Sequence, residues 1–162
     1  MAARAGMSGE PFIGVVSDTH GYYDAVLDDL FAGAERIVHA GDIGAGVLER
    51  LRRLAPVTAV LGNTDSPELL PGIPWEAEVE CLGLRLLLAH TREALWRARD
   101  PVAQGFDLVV TGHSHRPAVE WRGHTLLLNP GSAGRARFGL ARSAALVVVE
   151  GGRPRARIVT LA

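Results

Sequence analysis

Lysine is missing from this chain, and cysteine nearly so: all 17 basic residues are arginine, and Cys81 is the one thiol in 162 residues. A single cysteine excludes an intramolecular disulfide and a thiolate zinc site, and makes a reducing, cytoplasmic setting the default expectation. The missing lysine reads as base-composition bias in the gene and says little about chemistry. No segment approaches the ~20 apolar residues that a membrane span requires, so no membrane partner is expected. The opening residues, MAARAGMSGEP, carry Arg4 without the apolar stretch of a secretory signal. They are expected to form a flexible tail over residues 1–10, with Met7 as an alternative start, ahead of a single domain over 11–162.

Excess charge of one sign is also absent overall, with a net charge of −1, yet the halves differ. Residues 1–81 hold 5 Arg and 13 acids, whereas residues 82–162 hold 12 Arg and 5 acids. Two explanations stay open: solvated faces of opposite sign joined by salt bridges, or an arginine such as Arg92, Arg116, Arg135 or Arg137 drawing a phosphate to a site. A broad nucleic-acid footprint is not expected from balanced charge.

What the chain does have is a recurring arrangement. Four hydrophobic runs, FIGVV, RIVHA, VTAVL and DLVVT, have the length and β-branched content of buried strands. They are followed by Asp18-Thr19-His20, Gly41-Asp42, Gly62-Asn63 and Gly112-His113-Ser114-His115. Between the first three, YYDAVLDDLFAGA predicts a helix of about three turns, and GVLERLRRLA, stopped by Pro56, predicts another. The resulting βαβαβ order implies a right-handed parallel sheet, and ligands gather at the carboxyl ends of such strands. Residues 64–75, with three prolines and a glycine, predict an extended loop beside the site that could form a substrate rim.

WEAEVECLGLRLLLAH predicts a hairpin around Leu82-Gly83 whose second strand ends at His90, followed by a helix to about Arg99. The remainder is mostly strand, with no helix expected after residue 115. Two packed sheets with helices on the outer faces follow, the first half of the chain building one sheet and the second half much of the other.

Any single Asp or His after a strand is more often a turn former or a helix cap than a ligand. Recurrence at successive strand ends favours a metal centre instead. Oxygen and imidazole donors without thiolate suit Mn²⁺, Zn²⁺, Fe, Ni²⁺ or Co²⁺. Seven donors are too many for one ion and fit two ions about 3.5–4 Å apart, bridged by a carboxylate. Asp42, after the central strand, is the candidate bridge. His39, inside a strand, reads as a buried residue bonded to backbone or to a ligand, and His124, next to Gly123, as a turn residue.

Taken in order, Asp-x-His at 18–20, Gly-Asp at 41–42, Gly-Asn at 62–63, His90 and Gly-His-x-His at 112–115 resemble the calcineurin-like metallophosphoesterase superfamily. The GHSH block, the small size and Asn129-Pro130-Gly131-Ser132 look like its compact prokaryotic phosphodiesterase branch, and the resemblance runs from about residue 12. It implies an α/β fold of mixed α+β character, a four-layer αββα sandwich of two mixed β-sheets flanked by helices. It implies Asp18, His20 and His115 on one metal, Asn63, His90 and His113 on the other, and Asp42 shared, with His39 and Asn129 supporting from behind. The implied reaction is in-line attack on the phosphorus of a small phosphoester by a metal-bound hydroxide, with two divalent ions, Mn foremost, as cofactors. Relatives form dimers and larger assemblies, so a homo-oligomer is among the expected partners.

Two positions depart from the pattern. Thr64 stands where many relatives carry a His thought to protonate the leaving group, so good leaving groups should be favoured. Thr91 follows His90 where Gly is common, which makes His90 the least secure ligand. The small subunit of the retromer coat shares the fold and also lacks the His after Asn, but departs from Asp-x-His. Intact Asp18 and His20 therefore favour an enzyme over an interaction scaffold, and a phosphomonoesterase remains an alternative because the core chemistry is the same.

Overall fold

The computed structural model describes residues 9–161. The expected tail over 1–10 therefore lies outside the described residues except for Gly9 and Glu10. The elements run β1 (Ile13–Val16), α1 (Val26–Leu30), β2 (Arg36–His39), α2 (Val47–Arg52), β3 (Val57–Ala59), β4 (Glu76–Cys81), β5 (Leu84–Ala89), α3 (Arg92–Ala98), β6 (Leu108–Val110), β7 (Ala118–Arg122), β8 (Thr125–Asn129), β9 (Arg142–Glu150) and β10 (Arg153–Leu161). They form two five-stranded sheets, ordered β10-β9-β1-β2-β3 and β4-β5-β6-β8-β7. Among the described residues no helix is long and apolar enough to cross a membrane.

Strand periodicity generates the layers. Successive side chains point to opposite faces, so Ile13 and Val15 of β1 join Val38, Leu86, Leu88, Val110 and Leu128 in a core between the sheets. Val16 and Ile37 face the other way and pack with Leu27, Phe31, Val47, Leu48 and Leu51 of α1 and α2. On the far side Leu87, Val109 and Leu127 receive Leu95 of α3 and Phe106. Three buried clusters between four layers make an αββα sandwich, as expected.

Three details differ from expectation. α1 spans five residues and not three turns. Asp24 accepts a hydrogen bond from the Val26 N–H (2.9 Å) and an ion pair from Arg142 (2.8 Å), so the helix starts only at Val26. Gly33, at φ 79°, lies just beyond the helix end. The second half of the chain is also divided between the sheets: β9 returns to pair antiparallel with β1, and β10 forms the edge. β9 is buried on both faces through most of its length, so it needs an interior position.

Residues 64–75, finally, form a series of turns and not an extended loop. Asp65 anchors its start by accepting from the N–H groups of Ile43, Gly44 and Gly62 at 2.9–3.1 Å. Leu70 and Ile73 pack against the core around α1 and α2. The segment thus touches the carboxyl ends of the strands only at its two ends.

At Gly14 of β1 a Cβ would lie 2.6 Å from the ring of the fully buried Phe31, just beyond α1. Gly14→Ala should lower the free energy of unfolding by about 1–3 kcal/mol through overpacking. Urea denaturation reads this directly, and unchanged stability would contradict the contact.

Candidate metal centre

The carboxyl ends of β1, β2 and β3 open beside those of β5 and β6, and all seven candidate ligands meet there. Asp18, His20 and His115 offer donor atoms that all lie within 4.8 Å of one another, and Asp42, His90 and His113 do the same. Asp42 stands between the groups, with Oδ2 3.7 Å from His20 Nε2 and 3.2 Å from His90 Nε2. Asp18 Oδ1 is 3.3 Å from His115 Nε2 and 3.9 Å from both His20 Nε2 and His90 Nε2. Asn63 Oδ1 sits 3.2 Å from His113 Nδ1, at the exposed rim. His90, despite the Thr91 that follows it, points into the cluster.

The backbone beneath these residues is unusual. Asp18, His20, Asp42, His113 and His115 all have φ between 47° and 72°, the left-handed region that L-residues seldom adopt. The other non-glycine residues there, among those described, are Leu82 and Phe138. Such conformations cost about 1–3 kcal/mol each and persist where surrounding structure enforces them. Hydrogen bonds supply that enforcement: the N–H groups of Asp18 and His20 donate to the carbonyls of Gly41 and Asp42 at 3.0 and 2.9 Å, and His113 N–H donates to Asp18 Oδ2 at 3.0 Å.

The glycines before Asp42, Asn63 and His113 now have a reason. A Cβ at Gly62 would collide with Asp42 Oδ1, one at Gly112 with Ser17 Oγ and Asp18 Oδ2, and one at Gly41 would lie 2.6 Å from His90 Nδ1. The motif is a set of contacts in which each glycine makes room for a ligand carried by a different strand.

Further residues hold the centre from behind. His90 Nδ1–H donates to the Ala40 carbonyl at 2.7 Å, which turns Nε2 inward. His39 accepts from Gly41 N–H through Nδ1 (3.1 Å), so its Nε2–H donates to Thr19 Oγ1 (2.9 Å), whose hydroxyl donates to the Ile43 carbonyl (2.7 Å). Asn129 Nδ2 donates to the Gly112 carbonyl and Ser114 Oγ at 3.0 and 3.1 Å, fixing the GHSH loop. Nothing in the sequence singles out Ser17 or Asp65, and Ser132 enters there only as the end of the 129–132 motif. Ser17 Oγ donates to Asp18 Oδ2 (2.6 Å), and Ser132 Oγ donates to the Asp18 carbonyl (2.8 Å). His124 is a turn residue between β7 and β8.

Electrostatics point the same way. Burial opposes ionisation of Asp42, but His90 and the Thr64 N–H outweigh it and hold the carboxyl well below the usual range. Burial lowers His20, reinforced by the Arg137 charge and opposed by Asp42. Burial also works against protonating His90, but the Asp42 carboxylate and the Ala40 carbonyl raise it. Of the arginines, Arg92 is committed to Glu120 (2.9 Å) and Arg135 lies over the Tyr22 ring. Arg116 lines a cavity beside His113. Despite these contacts, Asp18 Oδ1, His20 Nε2 and His90 Nε2 are buried without a hydrogen-bond partner. Each such atom costs about 1–3 kcal/mol, and divalent cations among them would satisfy all three. The donor set fits the metal centre that the sequence predicts.

A family model described as the calcineurin-like phosphoesterase superfamily domain matches residues 12–152. The chain belongs to that superfamily. A probable metallophosphoesterase of Methanocaldococcus jannaschii is 31% identical over 140 residues, 78% of this chain and 70% of its own length. The phosphodiesterase YfcE of Escherichia coli K12 is 35% identical over 141 residues, 72% and 76% of the two chains. Among solved structures, an archaeal phosphodiesterase superposes with a TM-score of 0.69 at 23% identity, covering 91% of this chain and 99% of that one. Entamoeba histolytica Vps29 complexed with Zn²⁺ gives 0.69 at 22%, covering 92% and 98%. These last two show a shared fold.

His39 is fully buried, and burial drives its pKa down from 6.5 to about 3. The folded protein therefore keeps it neutral while the unfolded chain takes up a proton below pH 6.5. Its contribution is fully present above 6.5 and is lost as pH falls toward 3, with a limiting slope of about 1.4 kcal/mol per pH unit. Unfolding free energies between pH 7 and 4 should fall more steeply in the wild type than in His39→Gln, by up to about 1.4 kcal/mol per pH unit; equal slopes would contradict the assignment.

Proposed function

We propose that the chain is a binuclear metal-dependent phosphodiesterase for a small phosphoester, with residues 11–162 as its catalytic domain. The observation that carries this reading is the convergence of Asp18 Oδ1, His20 Nε2 and His90 Nε2 on one centre, buried and without hydrogen-bond partners. Asp18, His20 and His115 would hold one ion and Asn63, His90 and His113 the other, with Asp42 between them. Mn²⁺ is favoured by the mixed oxygen and imidazole donors, and Zn²⁺, Fe, Ni²⁺ and Co²⁺ also suit them. When bound, such a pair of ions polarises a phosphoryl group and brings the pKa of a coordinated water toward neutrality.

The chain's own residues prepare that chemistry. Ala40 fixes the His90 ring, Ser17 and His113 N–H occupy the outer oxygen of Asp18, and Thr64 N–H occupies that of Asp42. Each carboxylate is left with one oxygen facing the centre. Arg137, whose charge acts on His20, adds positive potential for an anionic substrate. Thr64 is exposed, and its hydroxyl is too weak an acid to protonate an alkoxide leaving group. Lone, buried Cys81 suits a reducing cytoplasm.

Intact Asp18 and His20 support catalysis over the interaction-scaffold reading that the Vps29 fold suggests. Metal-stripped protein refilled with Mn²⁺ should cleave bis(p-nitrophenyl) phosphate, with p-nitrophenyl phosphate slower and dialkyl diesters slower still. Asp42→Asn should cost about a hundredfold or more in kcat/KM. Two bound ions without cleavage of either nitrophenyl ester would favour the scaffold.

A further inference from the structure

A cavity of about 250 Å³ opens beside the candidate centre, between the β3–β4 segment and the first turn of α3. Asn63 and His90 form the wall it shares with the centre, and Leu61, Ala94, Leu95 and Trp75 supply apolar surface. The volume is below the ~300–1,000 Å³ of sites for whole drug-sized ligands and suits a single ring system. Glu76, at the rim, turns its carboxylate to Arg99 at 3.0 Å, so its charge is already paired.

Trp75 is the distinctive residue. It is 58% exposed, although its backbone is held on both sides. The Pro74 carbonyl accepts from Leu61 N–H at 2.8 Å, two residues before Asn63, and Glu76 pairs with Ala89, the residue before His90. The Trp75 backbone is thus held by the same strand ends that deliver two candidate ligands. The other two tryptophans have their rings covered by guanidinium groups: Arg92 and Arg122 over Trp96 at 5.7 and 5.4 Å, and Arg153 over Trp121 at 4.6 Å. Among the described residues no cation lies over Trp75, and its face is open to a ligand. On the opposite side of α3, the 260 Å³ cavity beside His113 is lined instead by Arg92, Arg116 and Glu120. The two cavities differ in polarity and both reach the centre.

We propose that the Trp75 cavity binds a planar aromatic arm of the phosphoester, stacked on the indole, while the phosphate sits at the metal centre. The proposal rests on the metal-site reading above and narrows its substrate class to esters carrying a phenyl-like or nucleobase-like ring. Indole offers a flat apolar face that a ring can cover in parallel, whereas an alkyl arm covers it poorly.

The test reads binding and not turnover. Mn²⁺-loaded protein is titrated calorimetrically with inorganic phosphate, methyl phosphate and phenyl phosphate. The wild type should bind phenyl phosphate about tenfold more tightly than methyl phosphate, the scale of one aromatic stack. In Trp75→Ala the two monoesters should come within about twofold of each other. Inorganic phosphate should bind that variant unchanged, which also reports an intact fold. Trp75→Phe, which keeps a ring, should retain most of the preference. Equal binding of the two monoesters by the wild type, or a preference that survives Trp75→Ala, would overturn the subsite. Phosphate binding without hydrolysis of any ester would refute the hydrolase reading and leave the subsite result standing.

Discussion

Two buried carboxylates, Asp18 and Asp42, face a ring of imidazoles across the junction of the two sheets, and the surrounding structure is arranged to hold them there. The centre carries a cost on its own, because one oxygen of Asp18 and nitrogens of His20 and His90 are buried without hydrogen-bond partners. The chain nevertheless forces them together. Backbone hydrogen bonds lock the β1 and β2 loops to each other, and Ser132 and Gly134 strap the Asp18 carbonyl from below at 2.8 and 3.2 Å. Glycines remove the Cβ atoms that would collide with ligand atoms on neighbouring strands. A centre built this way is preorganised for cations, with its strain imposed by tightly packed layers.

Much of this was legible in the sequence, for identifiable reasons. Ile13–Val16, Arg36–His39 and Val57–Ala59 alternate with two short amphipathic helices, and right-handed crossovers leave a parallel β1-β2-β3 as the consistent topology. That topology brings three strand ends together, so the sequence alone groups Asp18, Asp42 and Asn63. The destination of Arg142–Glu150 could not be read, because a strand apolar on both faces fits the interior of either sheet. Nor could the start of α1, which depends on Asp24 meeting Arg142 from a distant strand. The left-handed backbone at five candidate ligands was also hidden, since Asp and His carry no obligatory mark for positive φ. His39 illustrates the boundary well: its burial was visible, but its two partners lie on loops whose approach only the fold defines.

The uneven charge of the two halves has a similar resolution. Part of it is spent on ion pairs that cross between them, Arg142 with Asp24 and Arg99 with Glu76, which tie late strands and α3 to the first half. Part of it remains near the centre, where Arg137 acts on His20 and Arg116 lines the cavity next to His113. The first explanation offered by the sequence therefore holds for Arg99 and Arg142, and Arg116 and Arg137 stand where the second would need them. The acidic first half contributes Asp18 and Asp42 to the centre, and the basic second half supplies His113, His115 and the nearby guanidinium groups. Membership in the calcineurin-like phosphoesterase superfamily accounts for the shared framework.

If the seven convergent side chains together bind two cations, the number of metal ions held per chain must show it. Metal-stripped protein, equilibrated with Mn²⁺ and freed of loosely held ions, would be assayed by mass spectrometry for bound metal. About two ions per chain are expected, falling to one or none in Asp42→Asn. A wild type that retains no Mn²⁺, Zn²⁺ or other divalent ion above the level of that variant would contradict it.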